Sequence, residues 1–69
     1  MNQKLINAIY KVRDKSAELQ KDIDVIDEIR DLTPGERQMA KEAGNSMRGF
    51  RAFALNTLAN AAGIENFEM

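Results

Sequence analysis

The side chains of this 69-residue chain that could do chemistry are its arginines and lysines, because it has no histidine and no cysteine. Disulfide bonds, thiolate or imidazole metal sites and the commonest general base are therefore excluded. The ten basic residues remain as potential ligands for anions, and arginine is the better of the two for phosphate because its planar guanidinium can donate two parallel hydrogen bonds. We expect a binding protein with no cofactor rather than an enzyme.

The charges are segregated along the chain. Residues 1–17 carry four basic residues against one acid, residues 18–36 carry seven acids against two basic residues, and residues 37–58 carry four basic residues against one acid. The successive balances are +3, −5 and +3, although the net charge is only −1. The acidic middle argues against binding to duplex nucleic acid, which would repel it.

Two long helices must position these side chains. Apolar and small residues in residues 3–30 follow one another in steps of four and three, which predicts a helix over that range. They are Leu5, Ile9, Val12, Ser16, Leu19, Ile23 and Ile26. A second such row predicts a helix over residues 34–62: Ala40, Ala43, Met47, Phe50, Ala54, Leu58 and Ala61.

The boundary between the two helices is marked by Thr33-Pro34-Gly35-Glu36. A threonine cap, a proline at the first helical position and a glutamate three residues after the cap are typical of a helix start. We predict a turn at residues 31–33, a C-terminal stop at Gly63 and an apolar tail at 63–69. The chain is then one helical domain, residues 1–69.

A turn this short makes the helices antiparallel, so residues near 15 should lie beside residues near 51. The predicted fold is all-α, an antiparallel hairpin of two long helices. Basic residues from both helices then meet at the end away from the acidic turn: Lys11, Arg13, Lys15, Arg48 and Arg51. This cluster is either a solvated face with local acidic partners or a site for an anion, and the residues leave both open.

The hairpin has too little core to cover its remaining apolar side chains, which are Ile6, Val25, Ile29, Phe53, Leu55, Ile64 and Phe67. Short chains without disulfides or metals usually obtain stability from partner subunits. Copies of the chain or a different protein would both serve, and symmetric homo-oligomers are the commonest solution. No apolar run approaches the roughly 20 residues of a membrane span. With no signal-peptide pattern and no cysteine, these features predict a cytoplasmic protein without a membrane partner.

The residues also resemble a known family. The stretch from Val12 to Leu19, Val-Arg-Asp-Lys-Ser-Ala-Glu-Leu, is similar to the Val-Lys-x-Lys-Gly-Ala-Glu-Leu stretch of phage anti-CBASS cyclic-oligonucleotide sponge proteins. Arg37 with Ala40, and the segment from Gly49 to Phe53 leading into Leu58-Ala59, resemble the second helix of that family. Phe67 is similar to its terminal phenylalanine.

This resemblance implies a compact helical homohexamer that binds cyclic dinucleotides at subunit interfaces and, in many members, cyclic trinucleotides at separate sites. The nucleotide is sequestered from a bacterial defence effector and is not cleaved. Arg13 and Lys15 stand at the family's two lysines, which implies that they bind phosphate. The family carries a base-stacking tyrosine in an arm before its first helix, and Tyr10 is the stacking candidate here. Arg37 and Lys41 open the second helix, whose N-terminal amides also favour anions, and are candidates for a second site.

Two further interpretations stay open. A small regulator could bind a host protein through the apolar seam without using the basic cluster. A hydrolase of cyclic nucleotides would need a metal held by carboxylates, for which the chain offers Asp24, Asp27, Glu28 and Asp31. Their spacing is typical of a solvated helix face.

Overall fold

The computed structural model describes residues 2–69, and all of its regular structure is helical. Helix α1 spans Gln3–Ile26. Helix α2 spans Pro34–Gly49, continues directly into a π-helical turn at Phe50–Leu55, here called the π turn, and then into α3 at Asn56–Ala61. There are thus two helical segments and no strand in residues 2–69, which confirms the predicted all-α class. None of the helices in this range is both long enough and apolar enough to cross a bilayer.

Helix α1 begins where its cap can satisfy a backbone donor and ends earlier than predicted. The Asn2 side chain accepts a hydrogen bond from the Leu5 amide at 3.1 Å. At the other end the helix stops at Ile26, so the predicted end near residue 30 is wrong, and the connection covers residues 27–33, of which the predicted turn at 31–33 is the second part. The Arg37 guanidinium donates to the carbonyls of Asp27 and Ile29, both at 2.8 Å, and holds residues 27–29 out of the helix.

Helix α2 begins as the sequence predicts. The Glu36 amide donates to Thr33 Oγ1 at 3.1 Å, and the Thr33 amide donates to Glu36 Oε1 at 2.9 Å. These reciprocal bonds form a capping box with Pro34 at the first helical position. The hydrogen bond from the Thr33 backbone, and secondly that from its side chain, lower the pKa of Glu36 below its ordinary value of 4.5.

The buried row of the second segment lies one residue later than predicted, both before and after the π turn: Gly44 is buried whereas Ala43 is exposed. The predicted row continued through Ala54, Leu58 and Ala61, but the side chains that turn inward are Leu55, Ala59 and Ala62. Leu55 and Ala59 are only 1% and 0% exposed.

The second segment stops at Gly63 as predicted. Gly63 has a φ of 78°, which a glycine adopts without a steric penalty. The Ile64 amide then donates back to the Ala59 carbonyl at 3.0 Å, the bond of a Schellman motif. This reversal buries Ile64 and directs the tail onto its own chain, where the rings of Phe67 and Tyr10 lie 5.6 Å apart.

The core lies at one end of the chain and is small. It consists of Ile9 from α1, Leu55 and Ala59 from the second segment, and Ile64 from the tail. Near the opposite end, Arg48 of α2 donates to Asp24 of α1 at 3.3 Å. Helix α1 therefore contacts α2, the π turn and α3 along its length.

Only half of the predicted α1 row is covered. Ile9 and Ser16 are buried and Ile23 is half-buried, as a packing seam requires. The alternate members stay exposed: Leu5 at 36%, Val12 at 40%, Leu19 at 50% and Ile26 at 43%. Of the additional apolar side chains that we expected to need cover, Leu55 and Ile64 are buried, whereas Val25, Ile29 and Phe53 are exposed.

Candidate anion-binding site

Arg13 and Tyr10 form one unit on α1. They are three residues apart and therefore neighbours on the helix surface. The guanidinium carbon of Arg13 lies 4.8 Å from the centroid of the Tyr10 ring, within the range of a cation–π contact. The same guanidinium is paired with Asp14, with Nε at 3.0 Å and Nη2 at 2.9 Å from Asp14 Oδ1. The sequence prediction named Arg13 and Tyr10 separately, and the structure brings them together.

The tail holds Tyr10 in place. The Phe67 ring packs against the Tyr10 ring at an interplanar angle of 50°, and both side chains flank the small core. Tilted aromatic pairs of this kind contribute about 0.5–1.5 kcal/mol beyond the area they bury. The position of the tyrosine therefore depends on the reversal of the chain after Gly63.

A cavity of about 330 Å³ lies beside Arg13, and we call it the Arg13–Arg51 cavity. Its lining comes from α1, the π turn and the tail: Arg13, Asp14, Ala17, Arg51, Glu68 and Met69. Two arginines, one from α1 and one from the π turn, thus line the same space. Asp14 and Glu68 balance them, so an anion entering the cavity must displace or outcompete these two carboxylates.

Arg51 is the residue of this cavity with an unmet hydrogen-bonding capacity. Its Nε is buried and has no hydrogen-bond partner among residues 2–69. A buried donor left without an acceptor costs about 1–3 kcal/mol, and more when it is charged. The unmet donor belongs to an arginine that lines the cavity, which makes Arg51 a candidate for contact with an anionic oxygen.

Lys41 and Arg48 lie elsewhere. They line a second cavity of about 290 Å³ between α1 and α2, together with Asp24 and Asp27. Arg48 is already paired with Asp24 there. A Cβ at Gly44 would lie 3.1 Å from Arg48 Nη2 and 3.7 Å from Asp24 Oδ1, so this glycine marks a close approach of the helices. Of the five basic residues predicted to cluster, Arg13 and Arg51 line one cavity and Arg48 lines the other, whereas Lys11 and Lys15 line neither.

Arg37 and Lys15 have different surroundings from those expected of anion ligands. Arg37 is occupied by the carbonyls of residues 27 and 29 and lies 3.5 Å from Asp27 Oδ1. Its role in the structure is to join the two helical segments. Lys15 is exposed and lines neither of the two cavities.

The carboxylates proposed for a metal-dependent hydrolase are not brought together. Asp24 accepts hydrogen bonds from Arg48 and from Gln20, and Asp27 is paired with Arg37. In residues 2–69 no three acidic side chains are grouped closely enough to hold a metal ion.

Sequence reasoning missed three contributors to the Arg13–Arg51 cavity, namely Ala17, Glu68 and Met69. Ala17 follows Arg13 by four residues and thus shares its side of α1, a spacing that could have placed it there. Glu68 reaches the cavity only because the chain reverses at Gly63, and no spacing within a helix could have indicated its position. No known family, no curated protein and no solved structure matches this chain.

Proposed function

We propose that this chain is a phage-encoded immune evasion protein that binds and sequesters cyclic di- or trinucleotides in the bacterial cytoplasm without cleaving them. It acts as a homo-oligomer of antiparallel helical hairpins, with six subunits by its resemblance to the anti-CBASS sponge proteins. The single observation that carries the proposal is the Arg13–Arg51 cavity, which is lined by two arginines, one of which packs on the ring of Tyr10.

The chemistry of the cavity suits this ligand class. A cyclic dinucleotide carries two phosphates and two bases. Arg13 and Arg51 can each donate to phosphate oxygens, and the buried Nε of Arg51 lacks an acceptor within residues 2–69. Stacking of a base on an aromatic ring is worth about 1–3 kcal/mol. Tyr10 offers such a ring next to Arg13.

The size of the cavity favours a site completed by a second subunit. Sites for small molecules usually measure about 300–1,000 Å³, and this one, at about 330 Å³, lies at the lower limit. The cavity of one chain is therefore small for a whole cyclic dinucleotide, and a second copy of the chain would supply the rest of the site. A ligand built of two similar halves is matched by two copies of the same cavity.

A second candidate function has its own supporting observation. Leu5, Val12, Leu19 and Ile26 are 36–50% exposed along one line of α1, a pattern typical of a surface that binds another protein. A small adaptor or inhibitor would bind a host protein through this line. Such a protein would not need the Arg13–Arg51 cavity.

Calorimetric titration separates the two functions. We expect saturable heat with at least one member of a panel that includes cyclic di-AMP, cyclic di-GMP and cyclic trinucleotides. Arg13→Ala and Arg51→Ala should each weaken binding about tenfold or more, because each removes a charge-assisted hydrogen bond of roughly 1.5–3 kcal/mol. Lys21→Ala, an equally charged and exposed position on α1, is the matched control and should bind as the unmodified chain does.

Lys15→Ala tests the resemblance against the cavity. The resemblance implies a loss of affinity similar to that of Arg13→Ala, whereas the position of Lys15 outside both cavities predicts a smaller loss. Saturable binding that survives both arginine substitutions would leave the sponge function standing and remove the site. Absence of heat with every nucleotide would favour the adaptor.

A further inference from the structure

The exposed apolar side chains of α1 form a regular stripe. Leu5, Val12, Leu19 and Ile26 follow each other at intervals of seven residues, two turns of the helix, so they lie nearly in line. Successive side chains of the stripe are about 10 Å apart along the helix axis, because the helix rises 1.5 Å per residue. Ile9 and Ser16, which alternate with them, are buried against the second segment. The stripe is thus the half of an apolar seam that the chain itself leaves uncovered.

The stripe and α2 share one broad side of the molecule. Asp24 pairs with Arg48 across the two helices, which defines a polar side. Helical spacing places the stripe on the flank of α1 that is opposite to Asp24. It likewise places Ala43 and Phe50 on the flank of α2 that is opposite to Arg48. Ala43 is exposed and Phe50 is 41% exposed. The result is a continuous apolar side formed by two helices, which we call the apolar face.

We propose that the apolar face is the docking surface for a second copy of this chain, with the two α1 helices antiparallel and the four long helical segments forming a bundle. The stripe is self-complementary in this orientation. When Val12 faces Leu19 of the second copy, Leu5 faces Ile26 of the second copy, because both pairs are symmetric about residues 15 and 16. All four side chains of the stripe are thereby covered by the second copy.

The charge distribution selects a second copy in this orientation. Lys11 and Lys15 flank the stripe in its first half, whereas Glu18 and Asp22 flank it in its second half, and all four are exposed. Antiparallel docking places the basic first half of α1, which carries Lys11 and Lys15, against the acidic second half of α1 in the other copy, which carries Glu18 and Asp22. Parallel docking would instead align two acidic halves and two basic halves, which repel each other. A different protein would need the same alternation of charge and the same spacing of apolar side chains.

This inference rests on the homo-oligomer of the proposed function and specifies one of its interfaces. The Arg13–Arg51 cavity stays accessible, because Ala17, which lines it, is seven residues from Asp24 and lies on the polar side of α1. Loss of self-association and loss of nucleotide binding can therefore be measured separately.

Cross-linking tests the orientation directly, and the chain has no cysteine of its own to interfere. Leu5→Cys and Ile26→Cys are prepared as separate full-length variants and treated with a short thiol cross-linker, singly and mixed. We expect covalent dimers only in the mixture, because identical positions near the ends of the stripe are about 30 Å apart in the antiparallel dimer. The matched control mixes Leu5→Cys with Lys21→Cys, on the far side of α1, and should stay uncoupled.

Light scattering supplies the second test. The unmodified chain should have at least the mass of two copies at micromolar concentration, and Leu19→Gln should raise the dissociation constant about tenfold or more, because the substitution occurs twice in each dimer. Lys21→Gln changes an exposed side chain on the far side of α1 from the stripe and should leave the mass unchanged. A single-chain mass at every concentration overturns the proposal, as does cross-linking of Leu5→Cys to itself. Either result would leave nucleotide binding to be judged by calorimetry alone.

Discussion

Arg37 joins the two helical segments at their junction. Its two terminal nitrogens donate to the carbonyls of Asp27 and Ile29, which would otherwise be unsatisfied groups at the end of α1. Its guanidinium also lies 3.5 Å from the Asp27 carboxylate. One side chain near the start of α2 therefore fixes both the end of α1 and the path of the turn.

We predict that Arg37→Ala lowers the free energy of unfolding by about 1–2 kcal/mol, since it removes two charge-assisted hydrogen bonds that are partly exposed to solvent. Urea denaturation at a fixed protein concentration measures this change. Arg30→Ala is the control, because Arg30 is exposed and lies in the same turn. Equal stability of the two variants would show that the hydrogen bonds of Arg37 to the carbonyls of Asp27 and Ile29 do not stabilise the fold. Nucleotide affinity should be unaffected by Arg37→Ala, in contrast to the role that the resemblance implies.

The arginines show what residue type alone can predict. The sequence identified Arg13, Arg37, Arg48 and Arg51 as anion ligands by their charge and by the counting of turns. Only Arg13 and Arg51 share a cavity, because the long side chain of Arg48 reaches Asp24 and that of Arg37 reaches backbone carbonyls. Such choices depend on which acceptors lie within reach after packing, and the sequence pattern does not contain that information.

At the scale of the elements, the capping box of α2 is the feature that the sequence predicts most completely. The box is local, since Thr33 and Glu36 need only each other's backbone and side chain. The end of α1 was predicted four residues too late because it depends on Arg37, a residue of the other helix. The one-residue offset of the buried row was missed because it selects Gly44 over Ala43 and Arg51 over Phe50, and the apolar pattern favours the opposite choice at both places.

The capping box gives the stability a specific pH dependence. The pKa of Glu36 is lowered below 4.5, chiefly by the Thr33 amide, so in acid the unfolded chain takes up this proton before the folded chain does. Its contribution to stability should therefore be complete above pH 4.5 and disappear as the pH falls through the lowered pKa.

Glu36→Gln tests this pH dependence, because glutamine keeps the acceptor oxygen but does not titrate. Thermal midpoints of the two proteins, measured from pH 6 to pH 3, should converge at the acid end. The other carboxylates titrate in both proteins and cancel in the difference. Midpoints that stay parallel over the whole range would contradict the assignment.

The π turn makes a second prediction at this scale. The π turn holds one residue more than an α-helical turn would. Phe53 is 74% exposed, so its deletion removes little packing. We expect the deletion to convert the π turn to α-helix and to keep Leu55 and Ala59 facing inward. Deletion of Lys21 from the regular part of α1 is the control and rotates one half of that helix by about 100° against the other. Thermal denaturation should show a smaller loss for the Phe53 deletion than for the Lys21 deletion. The reverse order would show that the π turn is not a one-residue insertion.

At the scale of the whole molecule, the chain is elongated and thinly covered. Its extents are 49 × 16 × 16 Å and its radius of gyration is 14.7 Å, against about 11 Å for a compact domain of this length. Its accessible surface is 5245 Å², against roughly 4,400 Å² for a compact monomer of its mass. The elongated shape leaves more surface accessible than a compact domain of this mass would, and cover by partner subunits stays a prediction.

This shape connects the two proposals, the nucleotide site at the Arg13–Arg51 cavity and the interface at the apolar face. A rod of two helical segments offers its polar side, with the Arg13–Arg51 cavity, and its apolar face in different directions. Copies can therefore assemble through one side while the other stays free for a nucleotide. Sequestration requires no more than tight binding at high protein concentration, which a 69-residue chain can supply without catalytic groups.

Retention of the ligand tests sequestration most directly. The protein is incubated with each cyclic di- and trinucleotide, passed over a membrane that holds back protein, heat-denatured, and the released nucleotide is identified by chromatography. The account predicts that at least one cyclic nucleotide is retained with the protein and recovered intact after denaturation. Free passage of every nucleotide through the membrane, or recovery of linear products, would contradict it.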